Sequence, residues 1–278
     1  MLPTTTENND MDNDMDNDET HEAYRARPGV NWSRLKLART SALHYRDTPE
    51  RTDTASLGML RAVHALVLEP ENFDRDFAVY AGRRDKRTKA YQEFLADLGD
   101  RTVLSPKEHE EARTIAAAVL AYPPARALLT HEGARTEVGL YWTDKATGLD
   151  CKGRADLVIV ADGKATVIDL KTVRSINPRQ MGGDAARMGY HGQLAHYSAG
   201  VASTLDVEVV AMGLLCVEGT APHDVGLFLL DEEARDAGVD LRDSLLATIA
   251  EAEADDNYPG QCPTPTTLSL PAWATLET

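Results

Sequence analysis

Residues 153 to 171 constrain this 278-residue chain more than any other stretch. They read Gly-Arg-Ala-Asp-Leu-Val-Ile-Val-Ala-Asp-Gly-Lys-Ala-Thr-Val-Ile-Asp-Leu-Lys. An Asp-Gly pair between two β-branched runs is a strong hairpin signal, because a type I′ turn needs positive φ at both central residues. A turn at Asp162-Gly163 sets Ala161 opposite Lys164 and, counting back, Asp156 opposite Asp169. The period of two then puts both carboxylates on one face, with Cβ atoms about 4.5–5.5 Å apart. Arg154 and Lys171 form the next pair on that face. Both faces are otherwise apolar, with Ala155, Leu157, Ile159, Ile168 and Leu170 on one and Val158, Val160 and Val167 on the other. Such strands belong in the middle of a sheet, buried on both sides.

Two like charges facing each other there destabilise the sheet unless something compensates them. One reading is a divalent cation, and hard oxygen ligands at this spacing suit Mg²⁺ or Mn²⁺. The other is a structural cluster in which one acid is protonated, or is paired with Arg154 or Lys171.

Around the hairpin, the pattern predicts a helix from Asn31 or Ser33 through Tyr45, and a second from about Ala55 to Leu68, ending before Pro70. A short helix spans Tyr91 to Leu98. Ser105-Pro106-Lys107-Glu108 reads as an N-cap with Pro at N1, opening a helix through about Tyr122. Strands follow at about 134–142, 150–161, 165–173, 207–217 and 224–230, with helices near 184–203 and 231–256. Helices, then meandering strands, a helix and more strands make an α/β or α+β order, with a central mixed sheet flanked by helices. The expected layout is an acidic tail over 1–28, then one domain over 29–278. That domain has a helical part (29–125), a catalytic sheet with its helices (126–258) and a C-terminal coil (259–278).

Asp156, then Asp169-x-Lys171 on a hairpin, resembles the PD-(D/E)xK nuclease superfamily, with Asp in place of the more usual Glu. Gln193-Leu194-Ala195-His196-Tyr197 resembles the Q-x-x-x-Y motif of the exonuclease branch. Gly58 to Pro70 resembles the helix that carries that branch's extra histidine. The strings His64-Ala65-Leu66-Val67-Leu68-Glu69-Pro70-Glu71-Asn72-Phe73, Arg84-Asp85-Lys86-Arg87-Thr88-Lys89 and Leu268-Ser269-Leu270-Pro271-Ala272-Trp273 are similar to the RecE group, or exodeoxyribonuclease VIII. The likeness spans roughly residues 30 to 275.

The resemblance implies a restriction-endonuclease-like core and one or two Mg²⁺ or Mn²⁺ ions held by Asp156, Asp169, the Leu170 carbonyl and His64, with Lys171 positioning the attacking water. By the residues alone, His64 is either a ligand or a core imidazole bonded to backbone. Glu137, alternating with Gly139 and Tyr141 on the preceding strand, is either an additional site acid or a surface carboxylate. Gln193 and Tyr197 share a helix face, and the motif places that face at the site edge; His196 is expected at the surface or a subunit contact. The implied reaction is 5′→3′ degradation of linear double-stranded DNA, leaving 3′ tails for recombination. The implied setting is phage or prophage, with a RecT-like single-strand annealing partner and a homo-oligomer, most simply a tetramer. A structure-specific or single-strand nuclease, or a DNA-end-binding scaffold without catalysis, are the other classes.

The net charge of -16 runs against DNA binding. Glu7, Asp10, Asp12, Asp14, Asp16, Asp18 and Glu19 fall in the first twenty residues with no Lys or Arg, and that tail reads as disordered. The remainder is still acidic, although net charge says little about a channel lining. Arg83, Arg84, Lys86, Arg87 and Lys89 form either a solvated turn or a phosphate contact. Arg174 and Arg179, with Arg187, could hold a DNA end without reading its sequence. Three scattered cysteines (Cys151, Cys216, Cys262) imply reduced thiols in a cytoplasm, and they are too few for a four-cysteine iron–sulfur cluster. No signal peptide or membrane span is expected.

Overall fold

The computed structural model describes residues 21–49, 55–271 and 274. The chain opens with short helices: α1 (His21–Ala26), α2 (Trp32–Leu35) running into a 3₁₀ turn (Lys36–Arg39), and α3 (Ala42–Asp47). Then come α4 (Ala55–Leu68), α5 (Phe73–Asp76), β1 (Phe77–Val79), α6 (Lys89–Ala96), β2 (Thr102–Leu104), α7 (Pro106–Ala121) and α8 (Pro123–Leu129). The second half holds β3 (Ala134–Thr143), β4 (Asp150–Ala161), β5 (Lys164–Val173), α9 (Pro178–Met188), α10 (Tyr190–Leu205), β6 (Glu208–Glu218), β7 (Val225–Leu229) and α11 (Glu232–Ala254). Strands β3 to β7 form one sheet in sequence order, mixed because β5 and β6 run parallel; β1 and β2 make a separate parallel pair.

The turn is where the sequence places it. Asp162 and Gly163 have φ of 51° and 71°, and β4 pairs with β5 from Ala161↔Lys164 to Leu157↔Ile168. The ladder stops there, one pair short of Asp156 and Asp169. Instead the Asp156 carboxylate accepts the Leu170 N–H at 2.7 Å, so a side chain replaces a strand carbonyl. On the other side of β4, β3 pairs through Thr136↔Leu157 and again from Val138↔Ala155, skipping Glu137 and Asp156. Glu137 has φ 51°, a left-handed backbone inside a strand. The burial alternation changes phase across this gap. Leu157 and Ile159 pack beneath α4 and α7, whereas Ala155 packs with Val158 and Val167 against the other layer. The uninterrupted apolar face expected from Ala155 through Ile159 is therefore corrected: the defect at Glu137 and Asp156 turns Ala155 over.

Each face of the sheet is covered. On one, Leu157, Ile168, Leu170, Leu215 and Val217 bury against Ala62, Val63 and Val67 of α4 and Ile115 and Val119 of α7. On the other, Val138, Val167 and Leu214 bury against Met181 of α9 and Leu194 and Val201 of α10. Helix α7 starts with a full capping box between Ser105 and Glu108, as its sequence predicts.

Four expectations differ from the structure. The helix from residue 31 to 45 is three pieces, because Ser41 takes an extended backbone and its hydroxyl caps α3 through the His44 N–H. The helix near 184–203 is two, α9 and α10, broken at Gly189 with φ 73°. Residues 21–26 of the supposed tail are helical, held by Lys152 Nζ, which donates to the Tyr24 and Arg25 carbonyls at 3.0 and 3.1 Å. His196 is buried rather than superficial. Residues 1–20 and the Ala272-Trp273 end of the RecE-like string lie outside the described residues.

The open space around Gly163 isolates the effect of the turn. Gly163→Ala adds no clash but forces an L side chain into the left-handed region, so it should lower unfolding free energy by about 1 kcal/mol. Urea denaturation checks this; a stabilised variant would show that the turn is not under this conformational demand.

Candidate active site

The gap in the ladder is where the polar residues gather. From α4, His64 Nδ1 reaches to 3.6 Å from Asp156 Oδ2. Glu137 completes a group in which His64, Glu137 and Asp156 each offer a ligand atom within 4.8 Å of the others. His64 is half-buried. Its loss of bulk water lowers its pKa to about 4, with Lys171 pushing the same way, so the ring is neutral near pH 7 and keeps a lone pair for a metal. Burial raises Glu137 to about 8; Asp156 adds to this and Arg154 opposes it.

Asp169 is almost wholly enclosed. Its Oδ2 lies 2.5 Å from Lys171 Nζ, while Oδ1 has no hydrogen-bond partner among the described residues. Burial lifts its pKa to about 6 despite Lys171. Burial alone would lower Lys171, but Asp169 and Asp156 outweigh it and keep the ammonium above its usual range. The Tyr190 ring lies 5.1 Å from the same nitrogen.

The charges decide what fits here. Glu69, Glu137, Asp156 and Asp169 bring four carboxylates; Arg154 and Lys171 bring two cations; His64 is neutral. With all four acids ionised, one divalent ion balances the remainder, and the orphaned Asp169 Oδ1 is the kind of buried acceptor that such an ion satisfies. The residues present therefore fit a hard metal, with His64, Glu137 and Asp156 in one group and Asp169 beside it on β5. The expectation of two aspartates sharing an ion as direct cross-strand partners is refined by this grouping.

Helix α10 lies across β4. Gly153 allows this: a Cβ there would stand 2.9 Å from Tyr197 Cδ1. Gln193 Nε2 donates to the Tyr197 hydroxyl at 2.9 Å. Burial, then Asp169 and Asp156, raise the Tyr197 phenol well above its usual value, so it remains protonated. On the adjoining face His196 donates from Nε2 to the Lys152 carbonyl at 3.1 Å, its ring 4.8 Å from that of Trp142.

Not every candidate converges. In the basic run, Arg84 is paired with Glu108, Arg87 with Asp85 at 2.8 Å and Lys89 with Glu93 at 3.6 Å; Arg83 and Lys86 are exposed. Arg174 and Arg179 are exposed beyond the end of β5 and at the start of α9. Sequence reasoning missed Glu69, whose Oε2 lies 3.5 Å from Arg154, and Tyr190. The spacing of Tyr190 and Tyr197, two helical turns apart, could have signalled the second; nothing in the sequence marks Glu69 beyond a charge after an apolar helix.

The pKa values set a pH dependence. Folded Glu137 and Asp169 hold their protons to higher pH than free carboxylates, whose pKa is about 4. Between about pH 4 and 8 the folded state thus binds more protons than the unfolded one, and these groups cost stability as pH rises. In chelator, melting temperature should contain a component that falls over this range. Mn²⁺ should restore it most at pH 8 and hardly at pH 5. Calorimetric scans at both pH values check this, and equal stabilisation at the two would contradict it.

Among solved structures, the chain is similar in fold to a "Putative exonuclease" from Eubacterium rectale, 12% identical, with a TM-score of 0.61 over 91% of this chain and 95% of that one. Weaker likenesses are SSO0001 (16% identical, TM-score 0.30, covering 76% and 84%) and VC1899 from Vibrio cholerae (10%, 0.24, covering 82% and 57%). No curated protein matches the sequence. A family model described as a PDDEXK-like domain of unknown function matches residues 37–268, most of the chain, and the chain belongs to that family.

Proposed function

We propose that this protein is a metal-dependent nuclease that hydrolyses phosphodiester bonds of DNA. The observation that carries the reading is the convergence of His64, Glu137 and Asp156 beside an unsatisfied Asp169 and a charged Lys171, in a site whose net charge calls for a divalent ion. Mg²⁺ or Mn²⁺ held by these residues and the Leu170 carbonyl would supply an acidified water and neutralise charge on the phosphate. Lys171, kept as an ammonium by Asp169, orients that water and stabilises negative charge developing at the phosphorus. Neutral His64 donates a lone pair without adding charge. Tyr197, protonated and fixed by Gln193, offers a donor to a phosphate oxygen at the rim.

The finer reading is a 5′→3′ exodeoxyribonuclease on linear duplex DNA that leaves 3′ tails for a RecT-like annealing partner. It rests on the RecE-like strings around His64 and Arg84, which supply the polarity. Arg83, Lys86, Arg174 and Arg179 contact phosphates without reading sequence, while Arg84, Arg87 and Lys89 exchange their acidic partners for phosphate. A ring of subunits, most simply a tetramer, would keep an acidic enzyme on its substrate. The intact acid and lysine set argues against a scaffold that has lost catalysis.

End-labelled linear and closed circular duplexes, incubated with protein and Mg²⁺, test this reading. Mononucleotides released from linear ends alone support the exonuclease; nicked circles point to an endonuclease, and cleavage of neither to a scaffold. Asp156→Asn and Asp169→Asn should abolish cleavage and weaken Mn²⁺ binding, whereas Lys171→Ala should lose cleavage but retain the metal, since lysine donates no metal bond. Undiminished metal binding by both Asn variants would make the acid cluster structural. Light scattering at micromolar concentration should show an oligomer, and a strict monomer would remove the ring.

A further inference from the structure

Arg154 is the one cation that touches both the metal-facing and the outer carboxylates of this site among the described residues. Its Nε lies 2.8 Å from Glu137 Oε2, and a terminal guanidinium nitrogen lies 3.5 Å from Glu69 Oε2. Glu69 is itself fixed from behind, because Asn72 Nδ2 donates to its Oε1 at 3.2 Å. The three charged side chains are only 12 to 17% exposed, so their interactions are weakly screened. Glu69 follows directly on α4, the helix of His64; Arg154 and Asp156 share β4; Glu137 stands on β3. One guanidinium thus ties together three of the elements that bring ligands to the site.

Glu137 needs such a tie. Its backbone is left-handed, a conformation that costs a non-glycine residue on the order of 1–3 kcal/mol and persists only where its surroundings enforce it. Its strand pairing with Asp156 is absent, so the ladder does not hold it. It faces Asp156 at short range and both are acids. The guanidinium pairs with one Glu137 oxygen by charge and close approach, leaving the other for a metal. Its hydrogen bond goes to the second acid, Glu69, a two-ended span that a lysine's single ammonium does not reproduce.

We propose that Glu69 is a positioning residue for the metal centre, acting through Arg154 to hold Glu137 in its ligand orientation. This rests on the metal-site reading above. Glu69 touches neither metal nor substrate. It orients the guanidinium, and the guanidinium orients Glu137, as outer partners of metal ligands do elsewhere. The same chain of contacts keeps the His64 end of α4 in register with β3 and β4.

The test is metal affinity measured without turnover, by titrating Mn²⁺ into the purified full-length protein in a calorimeter, with melting temperature recorded in chelator. Glu69→Gln preserves shape and should weaken Mn²⁺ binding about tenfold, in line with losses at such outer partners, while the apo melting temperature stays near wild type. Arg154→Lys should weaken binding at least as much. In an Arg154→Lys or Glu137→Gln background, Glu69→Gln should have little further effect, because the path it acts through is already cut. Wild-type affinity in Glu69→Gln overturns the inference, and so does an unchanged additional loss in either background, since Glu69 would then act independently. Asp156→Asn serves as the reference: if it too binds Mn²⁺ like wild type, the metal-site reading fails instead. If Glu69→Gln melts far below wild type, Glu69→Asp, which keeps the charge but shortens the reach, replaces it; wild-type affinity in that variant overturns the inference as well.

Discussion

The rest of this structure depends on keeping several carboxylates together inside an apolar sheet. Ionised acids away from water repel one another and lose hydration, and neither cost is offset by the neighbouring Val, Ile and Leu side chains. Lys171 against Asp169 and Arg154 against Glu137 supply half of what is needed. Burial raises the pKa of every acid in the group, and these two cations offset it only in part. It also accounts for the broken ladder: Asp156 gives up strand pairing and takes the Leu170 N–H, a donor that stabilises its charged form.

The packing behind the site is correspondingly rigid. Helix α10 has one face against the acids and an adjoining face locked to β4. The buried His196 bonds the Lys152 carbonyl, while the side chain of Lys152 binds the carbonyls that end α1. Gly153 lets the Tyr197 ring approach the strand closely. Burial lowers His196 to about 4, so its neutral ring is a constant part of this core near neutral pH. The first helix of the described chain, strand β4 and the Gln193–Tyr197 face are therefore joined by direct contacts.

Local chemistry made much of this legible in the sequence. Asp162-Gly163 fixed the turn and with it the pairing from Ala161 to Leu157, and Ser105-Pro106 with Glu108 fixed the start of α7. Hairpin turns and caps are decided by a few adjacent residues. What stayed hidden depends on partners far along the chain. Glu137 could be a surface acid until Arg154 and His64 are seen around it. The phase change at Ala155 needs the defect in β3, and a strict period of two cannot foresee it. His196 sits next to Tyr197, and only the approach of Trp142 and Lys152 buries it. Gly189 carried the signal for the break between α9 and α10, but a helix pattern on both sides obscured it.

The parallel pairing of β5 with β6 has a consequence in time. Those strands are joined only through α9 and α10, and the site needs His64 from one side of the sheet and Tyr197 from the other, more than a hundred residues apart. Contacts of such long range form late, because the entropy of closing the intervening loops must be met before they contribute. The hairpin with its acids can form early and alone, but without α4 and α10 it remains solvated and unable to collect its ligands. On this view the fold is its own safety catch: a half-made chain has the acidic hairpin but no assembled site around it.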